Sequence, residues 1–393
     1  MPHRHYHTLK IQKVFRLKGL WGIYLNTAFR DLGLQLFAVF MPVYVYQLTK
    51  SIIYVFVFYA ILHLFVLPGG FIAGKLVRKI GIDFVEFFSA VVRTFSLILL
   101  MLAKLDVNFL WIAAAVYGLA ICFCWVPYHY TVAVRGDHDH FGQTVSKIEI
   151  ISKIMLGLGP FLGGLIIVSF GFEALYFVSI IALLISGAVI FLDDFDRKRV
   201  RFDFKKMMRR FARPSLRKFW LSMVGNGIES QVYGVAWYLY IFLVVSSYTV
   251  LGGIQSVSIL VSILMLWLVG NWVDKKGPQI LNYGVAGNVL NWIIRPFLIT
   301  GVFIFLSDVI YRFLSIFIWT PFMAVTYKKA KEMHSLEVVV QREWVIHASG
   351  FVTSLVMVGF CLLGLGWVAI FSLGIVGLLM CTLILTPGVE KKH

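Results

Sequence analysis

Long apolar runs without a single charge constrain this chain more than any other feature. Residues 51–73, 109–133 and 366–386 contain no Asp, Glu, Lys or Arg. A helix needs about 20 mainly apolar residues to cross a bilayer, and it satisfies its own backbone hydrogen bonds in doing so. The runs are continuous rather than alternating with period two, which predicts helices and not a membrane barrel. Composition agrees, with 60% of the 393 residues hydrophobic and 14% charged, where a soluble domain carries about 25% charged residues. An ordinary water-soluble enzyme is excluded, and the same hydrophobicity excludes a disordered chain.

The pattern predicts spans near 20–47, 51–73, 84–103, 109–133, 148–168 and 171–192. A second set follows near 219–246, 249–272, 279–305, 308–327, 344–364 and 366–386. The expected fold class is therefore an all-α polytopic membrane protein with twelve transmembrane helices. Of 36 Lys and Arg residues, about 29 fall in the two tails and the even-numbered loops, and the odd-numbered loops hold only Lys50 and Lys104. Positively charged loops stay cytoplasmic, so both termini are expected inside. The first apolar run is long and follows a basic tail, which reads as an anchor rather than a cleavable signal. The net charge of +17 thus records orientation, and no nucleic-acid partner is expected. Residues 193–218 form one long basic connector, expected to lie on an anionic inner leaflet. It separates a tail (1–19) and a first bundle (20–192) from a second bundle (219–386) and a last tail (387–393).

The two halves echo each other. Gly74-Lys75-Leu76-Val77-Arg78-Lys79-Ile80-Gly81 follows the second span, and Gly270-Asn271-Trp272-Val273-Asp274-Lys275-Lys276-Gly277 follows the eighth. Trp125-Val126-Pro127-Tyr128 is echoed by Trp319-Thr320-Pro321-Phe322, and His140 and Glu149 match His334 and Glu343 at the same offset. Duplicated bundles with a site between them are an architecture of secondary transporters.

On these residues the chain resembles the major facilitator superfamily over essentially its whole length. The family's signature after span 2 is Gly-x-x-x-Asp-Arg/Lys-x-Gly, repeated more weakly after span 8. The second copy here fits through Gly270, Asp274, Lys275 and Gly277. The first keeps Gly74, Lys79 and Gly81 but has Arg78 in place of the Asp that helps latch the cytoplasmic side, with Asp83 close enough to deputise. Span 5 carries Gly159-Pro160-Phe161-Leu162-Gly163-Gly164, similar to the core of the family's antiporter motif, although Met155 stands where the longer motif has Gly. The glycines allow close helix approach and Pro160 bends the helix. The resemblance implies that spans 1, 4, 7 and 10 line a central cavity.

Charge inside a span is costly and marks function or pairing. Asp31 and Glu229 read as the only acids deep within spans, near the midplane and equivalent in the repeat, beside the basic residues Arg30, Arg93, Lys153, Arg295 and Arg312. Each acid either exchanges a proton during transport or is neutralised by an arginine. Arg30 and Asp31 diverge by about 100° on a helix, so a neighbouring helix is expected to supply the partner of Asp31. Glu229 would pair with Arg295 or Arg312. The expected walls are aromatic and amide-rich: Asn26, Gln35 and Tyr44; Tyr117, Trp125, Tyr128 and His129; Asn226, Gln231, Tyr233, Trp237 and Tyr238; Tyr311, Arg312, Ser315 and Trp319. Such walls suit an amphipathic organic solute, and ordinary packing or interface anchoring explains many of them equally well. His63 reads as a packing residue or a proton relay. Glu149 and Glu343, with Arg135 and Lys329, are expected in an inner charge gate.

Cys122, Cys124, Cys361 and Cys381 form no zinc pattern, no Walker loop is present, and no catalytic dyad stands out. No cofactor or metal is expected. The sequence therefore predicts a monomeric, multi-pass protein of the plasma membrane that moves a small organic solute by alternating access. Proton coupling rests on Glu229 or Asp31, and export is favoured over uptake. A solute-uptake permease and a non-transporting scaffold or sensor of the same fold are the alternatives.

Overall fold

Every regular element among the described residues is a helix, as the continuous apolar runs require. The computed structural model describes residues 21–135, 141–192, 202–276, 278–332 and 336–385. The tails and Gly277 lie outside them. So does the side-chain placement of Arg135, Glu149, Asp274 and Lys275.

Helix α1 (Trp21–Ala38) runs through a turn into α2 (Met41–Thr49), which has Pro42 in its first turn. Then come α3 (Ile52–Ile80), α4 (Ile82–Leu102) and α5 (Asn108–Arg135). Between α3 and α4, Gly81 adopts φ 95°, a backbone state that side chains with a Cβ rarely enter. Gly81, the last residue of the first glycine motif, thus makes a tight turn between the two helices.

The long element α6 (Phe141–Val189) is broken at Gly171, where φ is 84° and ψ 178°. Contacts show that the chain reverses there. Up to the break its residues ascend beside α1, with Gly159 against Gln35 and Gly163 against the Leu36 carbonyl. Beyond it they descend, with Phe172 against Tyr44, Tyr176 against Phe37, and Ser186 bonded to Asn26.

A short amphipathic helix, α7 (Phe204–Phe211), precedes α8 (Arg217–Gln231). A π-helical turn over Val232–Trp237 joins α8 to α9 (Tyr238–Val245). The rest of the chain forms α10 (Tyr248–Lys276), α11 (Leu281–Ile294), α12 (Gly301–Glu332), α13 (Leu336–Leu362) and α14 (Gly366–Cys381). The α8 contacts repeat those of α1. Gly227 and Gln231 ascend along α13 at Ser349 and Ser354, and Gly225 and Glu229 descend along α14 at Met380 and Gly377.

Ten helical segments among the described residues are long and apolar enough to cross a membrane, against twelve expected. Two features account for the difference. The reversing α6 counts as one segment, and α11 is only 14 residues long. The structure also moves a loop. Arg295-Pro296-Phe297 tightens into a 3-10 turn and Leu298 is extended, so the chain turns before Gly301 and not near residue 306. Proline lacks the N–H that a continuing helix needs, yet the apolar residues around it hide the break. Large apolar side chains such as Phe95, Phe170, Phe177, Leu290 and Val302 stand exposed on the outside, as a lipid-facing surface requires.

Candidate functional site

A dense polar cluster joins the π-helical turn to α12 and to the turn that follows α11. Asp308 is fully buried. It accepts hydrogen bonds from Tyr233 Oη at 3.0 Å, Trp237 Nε1 at 2.9 Å and Arg312 Nε at 3.1 Å, and Arg295 Nη2 lies 3.8 Å away. The π-helical register supplies Tyr233 and Trp237 together, and such turns recur at functional sites. Arg295, also fully buried, sits in an aromatic cage with its guanidinium carbon 3.9 Å from the Trp237 ring centroid, 4.2 Å from Trp292 and 4.4 Å from Tyr311. Cation–π contacts of this desolvated kind contribute about 2 kcal/mol. They offset part of the cost of burying a charge whose Nη atoms make no hydrogen bond.

Sequence reasoning missed Asp308, because the loop expected near residue 306 put it at a span end. Its neighbour Glu229 takes a different partner from the one expected. Tyr311 donates to its carboxylate, while Arg312 and Arg295 both serve Asp308. Glu229 also faces open space. A cavity of about 430 Å³ lies among α6, α8, α10, α12 and α13. Its walls include Lys153, Glu229, Tyr233, Arg312, Trp319 and Arg342. Arg312 additionally donates to Gln255.

The first-half acid is enclosed differently. Arg30 Nε lies 2.9 Å from Asp31 Oδ1, so the adjacent arginine is the partner and the expected neighbouring helix is not needed. Flexible side chains close the angle that the helix opens between adjacent residues. Arg30 also lies 3.8 Å from Glu86 and 4.2 Å over the Tyr128 ring. Glu86 is a second buried acid, two residues past the expected start of the third span. Arg93 is buried, with its guanidinium carbon 5.9 Å from the Tyr117 ring centroid. This cluster balances two basic residues against two acids and does not line the cavity. It has the composition of a structural network.

A third network crosses between α3 and α5 on one side and α8, α12 and α13 on the other. His63 Nε2 lies 2.8 Å from Gln231 Oε1, and the Gln231 amide donates to Ser354 at 2.8 Å. His63 therefore carries its proton on Nε2. The Nδ1 atoms of His63 and His347 are 2.8 Å apart, so His347 must be the donor. Its other nitrogen faces Glu343 at 3.6 Å. Arg342 bonds the same carboxylate, and His129, bonded to Tyr327 at 2.9 Å, approaches it at 3.9 Å.

Glu343 thus lies among Arg342, His347 and His129, with Arg342 as its basic partner. Lys329 instead lies over the Phe219 ring. Gln231 and the fully buried Trp237 face partners inside the protein rather than the cavity, and Gln35 packs against Gly159.

Around the glycine motifs, Gly74 makes room for the Phe202 ring, and Arg78 donates to the Phe202 carbonyl at 3.4 Å. Arg78 thus holds the basic connector at Phe202, within residues 193–218. In the span 5 motif, Gly163 faces α1, Gly164 faces the Tyr248 carbonyl of α10, and the Phe161 amide donates to Ser256 at 2.9 Å. The sequence matches no family model, and no curated protein matches it.

Proposed function

We propose that the chain is a secondary transporter of the major facilitator type, with twelve crossings in two matched bundles and both termini cytoplasmic. The cavity between the bundles alternates in access and carries a small organic solute across the plasma membrane. The observation that carries this reading is the cavity of about 430 Å³ bounded by Lys153 of the first half and by Glu229, Arg312 and Arg342 of the second. A volume of this size fits a small organic molecule, and a wall drawn from both halves suits a site that opens when one half rocks against the other. Counting the limbs of α6 separately and adding α11 to the ten apolar segments brings the crossings to twelve. Glu229, with one hydroxyl donor and a face on the cavity, is the proton-exchanging acid. Asp31, locked to Arg30, is structural. Export is favoured over uptake on the Gly159-Pro160-Phe161-Leu162-Gly163-Gly164 run.

The test is accessibility at Ser262 on the cavity wall. The native cysteines Cys122, Cys124 and Cys381 are buried and Cys361 partly so, which leaves the parent chain as the background control. Ser262→Cys is expected to react with a membrane-impermeant thiol reagent from both faces of sealed vesicles. Reaction from one face only, or from neither, would assign the fold to a scaffold or sensor.

A further inference from the structure

The charges around the cavity do not cancel. Arg312 is matched by Asp308 at 3.1 Å and Arg342 by Glu343. Arg295 lies 3.8 Å from the same Asp308, and Glu229 accepts from Tyr311. Among the described residues, four cations (Lys153, Arg295, Arg312 and Arg342) therefore stand against three acids (Glu229, Asp308 and Glu343), a net +1. Lys153 lines the cavity and forms no ion pair or hydrogen bond with any described residue. It sits on the α6 limb that leads to Gly171, inside an apolar segment that runs from Ile150. A cation on the wall of an open cavity, without a counter-charge among the described residues, attracts an anionic group. The Nε of Arg342 is likewise buried without a hydrogen-bond partner. The wall also carries Tyr233, Tyr311, Trp319, Ile316 and Met323, a surface for an aromatic or aliphatic body.

We infer that the cavity binds a monoanionic amphipathic organic solute, its acid group neutralising Lys153 beside Arg312 and Arg342 and its apolar body lying against Tyr233 and Trp319. This assignment deepens the transport reading above and rests on the same cavity. The chemistry is that of a carboxylate or sulfonate on a compact hydrophobic frame. A cation of the same shape would meet the unmatched lysine, and a neutral analogue would leave it uncompensated.

Three isosteric probes test this on the purified full-length protein: 4-phenylbutyrate, 4-phenylbutylamine and 4-phenylbutanol. A ligand that binds only the folded state raises its apparent stability. Phenylbutyrate near saturation is expected to raise Tm by about 2–4 °C, with the amine and the alcohol giving no comparable shift. Lys153→Gln should abolish the shift, and Lys153→Arg, which keeps the charge, should retain it. Dioctanoyl phosphatidylglycerol distinguishes a lipid headgroup from a soluble acid. It should give no shift, since two acyl chains exceed the cavity.

Equal shifts from all three probes, a phenylbutyrate shift that survives Lys153→Gln, no shift from phenylbutyrate, or stabilisation by the lipid alone would each overturn the assignment. Ser262→Cys reactivity separates the two readings. Two-sided labelling with no anion preference removes the substrate class and leaves transport standing. One-sided labelling with a Lys153-dependent shift keeps the anion site and removes transport.

Discussion

Asp308 and Glu229 are buried acids on neighbouring helices, and their surroundings give them different roles. Asp308 accepts three hydrogen bonds and neutralises two arginines, so the helices beside it depend on its charge. Asp308→Asn leaves Arg295 uncompensated in the closed interior and Arg312 uncompensated on the cavity wall. A loss of about 3–5 kcal/mol is expected from breaking a buried pair in this way, read as a large fall in the thermal midpoint of the purified protein. Glu229 has one hydroxyl donor and open space. Glu229→Gln keeps the Tyr311 contact and should cost about 1 kcal/mol or less. It is expected to abolish solute accumulation driven by a pH gradient in proteoliposomes while leaving solute exchange intact. If Glu229→Gln proteoliposomes still accumulate solute against its gradient, the proton passes elsewhere. The histidine pair offers a further residue-scale check. His63→Ala and His347→Ala remove the same 2.8 Å contact, so their stability costs should fall short of additivity by about 0.5–3 kcal/mol.

At the scale of the element, what the sequence revealed depended on whether a break carries its own chemical signature. Gly81 and Gly171 were legible because a glycine between apolar runs marks a turn, and both adopt positive φ. The Arg295-Pro296-Phe297 turn was not, because hydrophobic residues continue through it. That single displaced loop concealed Asp308 two turns inside α12. The π-helical turn at Val232–Trp237 was equally invisible, since an extra residue per turn leaves no mark in an apolar stretch, yet it presents Tyr233 and Trp237 to the same acid. Close approaches of α6 were legible from its glycine spacing, whereas the reciprocal contact of Gly252 with the Pro160 carbonyl was not. A Cβ at residue 252 has no room beside that carbonyl. Gly252→Val should therefore destabilise by about 1–3 kcal/mol through overpacking. Gly359→Ala meets nothing within 4 Å and should be neutral or slightly stabilising, because alanine favours a helix by about 0.5–1 kcal/mol over glycine. Thermal midpoints of the two variants side by side check the contrast.

For the whole molecule, the question is which contacts hold the two halves together at each end. Toward the end that carries Lys50, α6 and α10 meet backbone to backbone. A Cβ on Gly164 would lie 2.7 Å from the Tyr248 carbonyl, and Tyr248 itself packs among Phe40, Phe172 and Phe242. Toward the basic end the halves are joined by polar links and by α7, where the Asp203 amide donates to Glu337 at 2.9 Å, the Gln341 amide donates to the Met207 carbonyl at 2.6 Å, and Phe204 lies between Phe71 and Trp344. The Lys50 end is thus a dry seam with no room for a side chain, and the basic end is a polar junction that water can replace. On the transport reading, a wedge in the dry seam should favour the state open at the Lys50 side. Gly164→Val places its wedge there, where overpacking costs about 1–3 kcal/mol, and that cost falls only on the state closed at this end. A differential of this size shifts a two-state equilibrium about 5- to 150-fold. Combined with Ser262→Cys, the wedge should raise the labelling rate from the Lys50 face and lower it from the basic face by comparable factors. Equal rate changes at both faces would mean loosened packing without a shift between two states, and the rigid-body account of access would then fail.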